Sequence, residues 1–369
     1  MDHPVDLQQL PEAARKALGG AAPLRLMLAR GMAPLPPAAL VSALYALCYE
    51  RADEKLREAA QKTFGALPDA VLQGALGADL HAAVLDELAT RLPMTSAMLE
   101  RVVRHANVAV ETVVRLARKG SEALSEVIAI NEQRLIANPE VIEALYMNER
   151  TRMSTADRVV ELAARHGLTV NIPGFDGIVA ALKGQKPPPP PESVEAKTAD
   201  ANFTTALAET EKLTVDAVLE EDEAGESKQS ATTEKAEKSI AEMSITEKIR
   251  TAMLGTAAAR GILVRSYNKL VSKAVLDSPK LTDDEIIKYS ASRQVSEDTL
   301  RRIANSKTFT RLYDVKFNLV NNPKCPLTES MKYLSHLRES DVRKLMGNKN
   351  VPAGLRNAAN GMLAQKKKK

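Results

Sequence analysis

The sequence has 369 residues, too many for one ordinary domain and about enough for two. Aromatic residues make up 3% of the chain and tryptophan is absent, whereas Leu, Ala and Val are abundant; this composition argues against a β-sandwich and favours helices packed through aliphatic ridges. The net charge of +4 is unevenly divided, with −1 in residues 1–186, −9 in 187–242 and +14 in 243–369, so only the last segment has the charge of an anion-binding module.

Residues 1–183 read as an N-terminal helical repeat domain, because apolar residues recur there at helical spacing, as Val84 and Leu88 do. Ser154 predicts the N-terminal cap of one helix, and Gly167 predicts the end of the same helix. The whole region therefore indicates stacked helices.

Residues 184–242 read as a Pro-rich, acidic, disordered linker. Five consecutive prolines at 187–191 favour an extended polyproline II rod. The remainder has few large apolar residues, too few to offset the entropy lost on ordering. An alternative holds for residues 203–219, whose apolar residues also suit a short helix that docks on a partner.

Residues 243–365 read as a basic C-terminal helical repeat domain, followed by a lysine tail at 366–369. Two capping boxes mark helix starts within it. Ser244 is followed three residues later by Glu247, and Thr282 by Glu285, so in each pair the two side chains can satisfy each other's free backbone N–H groups.

Part of this basic domain repeats itself. Residues 275–293 match 319–337 at an offset of 44, and the Leu300–Ile303 stretch matches 342–345 after a two-residue deletion. Five basic columns recur in this match. We predict that their members bind an anionic partner: Lys280, Lys288, Arg301, Arg302, Lys307, Lys324, Lys332, Arg343, Lys344 and Lys349.

Arg301 and Arg302 lie between Leu300 and Ile303, which should face the core, so the two arginines should point outward. Stacked repeats would then align them with Arg343 and the lysine after it as one stripe. Aromatic residues interleave with these cations and suit either stacking on nucleic-acid bases or packing in the core. The opposing interpretation of the columns is a duplicated, ordinary solvated face.

The Ala-Asn pair of residues 304–305 has an earlier copy at 137–138, at an offset of 167, and a weaker copy at 106–107. Small Ala lets helices approach closely, and Asn tolerates the left-handed conformation that often ends a helix. We interpret the pair as the turn of a repeat, with no chemistry.

The stretch from Leu319 to Pro326, followed by Met331 and Leu334, resembles the leucine-rich repeat variant consensus, a family of the HEAT-like α-solenoids, and residues 135–139 are similar. The resemblance implies two α-solenoid domains that act as curved binding scaffolds. Members of these families can carry an iron–sulphur cluster or act as DNA glycosylases. The cysteine motif and groove residues of those proteins have no match here, so neither property is transferred.

Enzyme chemistry finds no support in the sequence. The five histidines have no second His or Cys at metal-ligand spacing, and no phosphate loop, dinucleotide fingerprint or nucleophile elbow occurs. We therefore expect no catalytic residue, no metal and no cofactor. The acidic pair Asp283 and Asp284 suits a helix N-terminus, where the helix dipole favours negative charge.

Two cysteines far apart in sequence fit a reducing compartment without a disulfide framework. The first residues lack the parts of a secretory signal, and the longest apolar stretch, 38–48, is too short to span a bilayer. We expect a cytoplasmic protein without a membrane span.

The favoured function is a non-enzymatic scaffold or adaptor that binds proteins, with an acidic protein as the partner of the basic domain. The alternative is nucleic-acid binding through phosphate contacts of the basic domain, with the acidic linker folding back to mask it.

Overall fold

The computed structural model describes residues 5–182, 193–219, 231–348 and 350–366. All regular secondary structure in these residues is helical, which confirms the all-α fold class. The chain forms two compact units, residues 1–170 and 171–369. No helix in the described ranges is long and apolar enough to cross a membrane.

The first unit begins with a 3₁₀ helix at Leu7–Gln9. Its α-helices are α1 (Glu12–Leu18), α2 (Ala22–Ala29), α3 (Pro37–Cys48), α4 (Glu54–Gly65), α5 (Asp69–Leu76), α6 (Ala82–Arg91), α7 (Met98–Arg104), α8 (Val110–Lys119), α9 (Glu122–Ala129), α10 (Glu132–Ala137), α11 (Pro139–Tyr146) and α12 (Met153–Arg165).

The second unit continues the all-helical pattern. Its helices are α13 (Phe175–Leu182), α14 (Val194–Thr210), α15 (Val215–Leu219), α16 (Ala231–Glu242), α17 (Ile245–Leu254), α18 (Ala257–Leu263), α19 (Lys269–Leu276), α20 (Asp283–Ala291), α21 (Glu297–Asn305), α22 (Tyr313–Asn321), α23 (Leu327–Leu334), α24 (Glu339–Gly347) and α25 (Ala353–Lys366).

Alternate helices contact one another within each unit. In the first unit, row A consists of α3, α5, α7, α9 and α12, each in contact with the next, and row B consists of α6, α8 and α11. In the second unit, row A consists of α17, α19, α21, α23 and α25. Row B consists of α18, α20, α22 and α24, in which Tyr313 Oη of α22 donates to Asp341 Oδ2 of α24 at 2.6 Å.

Side chains just beyond a helix end bind the preceding helix of the same row. Asn148, after α11, donates through Nδ2 to the carbonyl oxygens of Ala117 and Gly120 at 2.8 and 3.1 Å, at the end of α8. Asn322, after α22, donates likewise to the carbonyls of Ser290 and Ser292 at 3.0 and 2.9 Å. The last carbonyls of a helix have no partner within it, so these donors satisfy groups that burial would otherwise leave unpaired.

The helix ends bear out several sequence predictions. Both capping boxes form: Glu247 N donates to Ser244 Oγ at 3.2 Å, and the Thr282 pair has the same reciprocal bonds. Gly167 follows the end of α12 with a φ of +61°, a conformation that favours glycine. The predicted cap at Ser154 is wrong: α12 begins at Met153, and Ser154 lies inside the helix.

The predicted left-handed role of Asn is also wrong. Among the described residues no residue other than glycine has a positive φ. Asn138 and Asn305 instead end their helices by donating through Nδ2 to the carbonyl four residues earlier, at 3.0 and 2.9 Å. The Ala-Asn pair therefore acts through the amide side chain.

The described part of residues 184–242 is helical, where the sequence predicts disorder. The proline run at 187–191 and residues 220–230 lie outside the described residues. Helices α14, α15 and α16 pack against α17, α18 and α20 of the same unit and bury Phe203, Val218 and Ile240. The few apolar residues are spaced for helices, and α17, α18 and α20 supply the surface that buries them. Helix α13, assigned to the N-terminal domain by sequence, contacts α17 and α19.

A buried ion pair joins α18 to α20. The Arg260 guanidinium donates to both carboxylate oxygens of Glu285 at 2.8 and 3.0 Å, and also to the carbonyls of Gly255 and Lys280 at 2.8 and 3.2 Å. The Arg260 and Glu285 side chains are 4% and 3% exposed. Burial raises the pKa of Glu285, but the hydrogen bonds and charge of Arg260, with bonds from Thr282, outweigh it, and the net pKa is lowered.

Replacing Phe203 tests whether α14 is ordered. Phe203 is 4% exposed and lies under the Arg250 guanidinium, whose carbon is 5.1 Å from the ring centroid. Phe203→Ala should destabilise the docking of α14 by about 3–5 kcal/mol and so accelerate its amide exchange at least about a hundredfold. Hydrogen–deuterium exchange measures this rate. Val194→Ala, at a side chain 80% exposed in the same helix, should leave it unchanged. Unprotected wild-type α14 amides would contradict the helix.

Removing Arg260 should reverse the pH dependence that Glu285 contributes to stability. In the wild type its folded pKa is lowered, so its contribution is present above about pH 4.3 and is lost as the pH falls through the folded pKa. In Arg260→Met the charge and hydrogen bonds of Arg260 are gone, and burial, the largest influence on Glu285, outweighs the remaining bonds from Thr282. The folded pKa is then raised, and the contribution is present below about pH 4.3 and lost as the pH rises.

Urea unfolding followed by circular dichroism between pH 3 and 7 measures this effect. Near pH 7, Arg260→Met should cost about 3–5 kcal/mol, because it leaves a buried charge unpaired. Arg311→Ala removes an exposed pair with Asp283 and should cost less than about 1 kcal/mol. Identical pH slopes for wild type and Arg260→Met would show that this pair does not govern the titration.

Candidate functional site

The predicted anion-binding residues lie on several surfaces of the second unit. Arg301 and Arg302 are on α21 and Lys332 is on α23, both in row A, whereas Lys288 is on α20 and Arg343 and Lys344 are on α24, both in row B. Lys280, Lys307 and Lys324 lie in connections between helices, and Lys349 lies outside the described residues.

The paired cations on α21 and α24 point outward, as predicted. On α21, Leu300 and Ile303 are fully buried while the Arg301 side chain is 47% exposed. On α24, Val342 and Leu345 are buried while Arg343 is 61% exposed. The outward orientation follows from the helical period and the apolar positions on either side.

The two pairs do not form one continuous stripe. Successive helices of row B begin at Ala257, Asp283, Tyr313 and Glu339. The offset of 44 residues between the matched stretches is longer than the number of residues from the start of one row B helix to the start of the next, and shorter than two such intervals. It therefore superimposes a helix of one row on a helix of the other. The sequence match is real, but it relates α20 to α23 and α21 to α24, which face different surroundings.

Six of the nine described cations already have partners in the chain. Four pair within their own helix: Arg301 with Glu297 at 2.6 Å, Lys332 with Glu329 at 2.6 Å, Arg343 with Glu339 at 2.5 Å and Lys344 with Asp341 at 3.5 Å. Lys280 Nζ donates to the Leu254 carbonyl at 2.7 Å, and Lys288 bonds two aspartates. Within the described ranges, the Arg302, Lys307 and Lys324 side chains form no hydrogen bond or ion pair.

Arg301 and Arg302 line a cavity of about 530 Å³ between α19 and α21 of row A. Lys269 completes its cationic lining, and the half-buried Phe309 lies beside them. The volume falls in the range of small-ligand sites, which is also enough for a projecting side chain of a partner. This cavity is where the structure brings predicted site residues together, and we take it as the candidate site.

Asp298 controls the charge of this cavity. Its carboxylate accepts from Lys269 Nζ at 2.6 Å and from Arg301 at 3.3 Å. The hydrogen bond and positive charge of Lys269 hold the pKa of Asp298 below its usual value, with further contributions from the charges of Arg301 and Arg302. Asp298 therefore stays ionised and competes with any anion for two of the three cations, while Arg302 remains open to a ligand.

A second cavity, in the first unit, contains residues that the sequence analysis missed. It measures about 590 Å³, lies between α5 and α7 of row A, and is lined by Arg101 and Arg104. A signal for it was present in the sequence. Arg104 stands two residues before the Ala of the weak Ala-Asn copy at 106–107, as Arg302 stands two residues before Ala304.

The aromatic residues of the second unit fall into two groups, those packed in the core and those that are accessible. Tyr289 is fully buried and donates to Glu285 at 3.1 Å, and Tyr313, Phe317 and Tyr333 pack against the apolar cluster of α22 to α25. These side chains belong to the core. Phe309 lines the α19–α21 cavity, and Tyr267 is 98% exposed.

Removing the carboxylate of Asp298 should strengthen anion binding at the cavity. Asp298→Asn frees Lys269 and Arg301, and we expect a labelled polyglutamate peptide to bind about three to ten times more tightly at low salt, because the exposed ion pairs that it breaks are weak. Asp277→Asn changes the charge of the same cavity equally without releasing a paired cation, so its gain should be smaller. Fluorescence anisotropy measures both affinities. Equal gains would show that general charge, not these pairs, controls binding.

Comparisons with protein-family models, curated proteins and solved structures found no match. Among the described residues, no group of three or more His, Cys, Asp or Glu side chains is arranged to hold a metal ion. Inference about function therefore rests on the paired rows of helices and on the cationic cavity between α19 and α21.

Proposed function

We propose that the protein is a non-enzymatic scaffold, made of two α-solenoids of the HEAT-like type, that binds a protein partner. The observation that carries this proposal is the recurrence, in both units, of bonds from one helix end to the preceding helix of the same row. The His105 Nε2 atom lies 2.9 Å from the Ala78 carbonyl oxygen in one unit, as Ser278 Oγ lies 3.2 Å from that of Met253 in the other. Solenoids repeat such neighbour contacts and present long surfaces to partners.

An acidic partner is favoured for the second unit. Its cations already bind acidic side chains of residues 184–242: Lys288 Nζ is 2.9 Å from Asp216, and Arg265 pairs with Glu237. The Arg302 side chain, which has no bonding partner in the described residues, stands ready for a carboxylate in the α19–α21 cavity. The partner would place an acidic side chain there while contacting the exposed face of row A.

Nucleic-acid binding is the second candidate. The observation that favours it is the placement of Arg302 and Phe309 in one cavity, since a guanidinium suits a phosphate and an aromatic face suits a base. Binding of this kind would depend steeply on salt, because phosphate contacts release condensed counterions.

Photo-crosslinking from the cavity tests the proposal. The photoreactive residue p-benzoylphenylalanine replaces Phe309, which lines the cavity, in one variant and Lys344 in another, so Arg302 stays in place. Each full-length variant is irradiated in its native cells, and Lys344 lies on α24 of the other row. We expect a discrete protein adduct from position 309, identified by mass spectrometry, and none from position 344.

Three outcomes decide between the candidates. A nuclease-sensitive adduct at position 309 would support nucleic-acid binding instead. Equal labelling from 309 and 344 would indicate nonspecific attraction to a basic surface. No adduct from position 309, in protein whose circular dichroism matches the wild type, would refute the cavity as the binding site.

A further inference from the structure

Helix α15 packs against α18 and α20 of row B. It has five residues, too few for a stable isolated helix, so its order must come from docking. Val215 and Val218 are buried there, 7% and 0% exposed, and Thr214 Oγ1 accepts from the Ala217 N–H at 3.2 Å to start the helix. The segment is thus a short amphipathic helix held on a neighbouring face.

The face that receives α15 is shaped by a glycine. A Cβ atom on Gly261 of α18 would lie 3.4 Å from Val218 Cγ1, 3.7 Å from Val218 Cβ and 3.8 Å from Val215 Cγ1. These are ordinary contact distances, so a methyl group would fit and a larger side chain would collide with α15. The two valines therefore occupy a shallow depression (the seat) centred on Gly261 of α18, a helix rich in small residues.

An ion pair connects the polar side of α15 to this seat. Lys288 Nζ of α20 lies 2.9 Å from Asp216 Oδ2 and 2.9 Å from Asp284 Oδ2. The Asp216 side chain is 73% exposed, so water weakens the pair. Two buried valines, the half-buried Leu219 and an exposed ion pair form a small interface for ordering five residues, so little free energy holds α15 in place.

We propose that the seat on α18 and α20, formed by Gly261 and Lys288, is a docking surface that α15 occupies within the chain and that a partner protein occupies by displacing it. The displacing segment is a short amphipathic helix with the chemistry of α15: two β-branched apolar residues three positions apart and an aspartate or glutamate directly after the first. Charge favours such a segment, because residues 243–369 carry a net charge of +14. This surface lies on row B and is independent of the α19–α21 cavity.

The test measures binding of a fluorescein-labelled peptide of residues 212–223 to the full-length chain by anisotropy. Val218→Asp expels α15 and leaves Gly261 and Lys288 in place, so the peptide should bind at least about ten times more tightly than to the wild type, whose seat is filled. Val194→Asp, the same substitution at an exposed valine of α14, should not change the affinity. Equal affinities for wild type and Val218→Asp would overturn the proposal.

Charge reversal tests the role of Lys288. Adding Lys288→Glu to the Val218→Asp chain should weaken peptide binding at least about tenfold. A peptide with lysine at the Asp216 position should bind this chain with the original affinity. If the peptide with lysine does not restore the affinity, Lys288 does not recognise the acidic residue of the peptide. If a single-stranded oligonucleotide competes with the peptide and the peptide with lysine does not restore the affinity, the surface binds phosphates and the proposal fails.

A disulfide provides a second measurement in case Val218→Asp does not fold. The 3.7 Å between the two Cβ positions at residues 218 and 261 suits a disulfide, and the native Cys48 and Cys325 are buried. In a chain with Val218→Cys and Gly261→Cys, oxidation should lock α15 on its seat and weaken peptide binding at least about tenfold, and reduction should reverse this. Equal binding by the oxidised and reduced chains would refute competition between α15 and the peptide.

Discussion

The fold depends on satisfying the carbonyl groups at the ends of its helices. These helices are short, so a large share of their carbonyls lies in the last turn, where no N–H of the same helix reaches them. Packing in rows buries many of these ends, and the chain supplies donors from the next helix of the row: Asn148 to the end of α8, Asn322 to the end of α20, and Lys280 to the end of α17. Each such bond sets the distance and rotation between successive helices, so the rows, and the cavities between their members, follow from it.

This constraint also decides which charges remain for a partner. Lys280 belongs to a basic column of the sequence, yet its ammonium group donates a hydrogen bond to the Leu254 carbonyl at the end of α17 and so has a structural role. Arg260 is a stronger case, since its guanidinium closes the end of α17 through the Gly255 carbonyl and neutralises Glu285 in the interior. The surplus charge of the second unit is thus partly structural, and the cations open to a ligand are fewer than the composition suggests. Arg302 stands out because it lines a cavity in which its neighbours Lys269 and Arg301 both pair with Asp298.

Local features were predictable from sequence where a short stretch carries the whole interaction. The capping boxes at Ser244 and Thr282 need residues only three positions apart, and the outward direction of Arg301 needs only the buried neighbours Leu300 and Ile303. The prediction failed at Ser154, where a residue typical of a cap lies within a helix, and across α14 to α16, where composition indicated disorder. In both places the outcome depends on surfaces distant in the chain. Phe203 gains its burial from helices later in the chain, among them α17 with Arg250, and the low apolar content of its own segment does not reveal that.

The sequence by itself determined the all-helical class, the starts of the two helices with capping boxes and the concentration of positive charge in residues 243–369, because these depend on composition and on the short spacings of a helical turn. Only the tertiary structure decided which helices share a row. The internal repeat matched α20 to α23, whereas the neighbours that α20 contacts within its own row are α18 and α22, so similar sequences came to lie on different faces. The physical reason is that a helix is positioned by the side chains that bond its end and cover its apolar stripe. Those side chains come from neighbouring helices, and sequence similarity between two helices does not specify them.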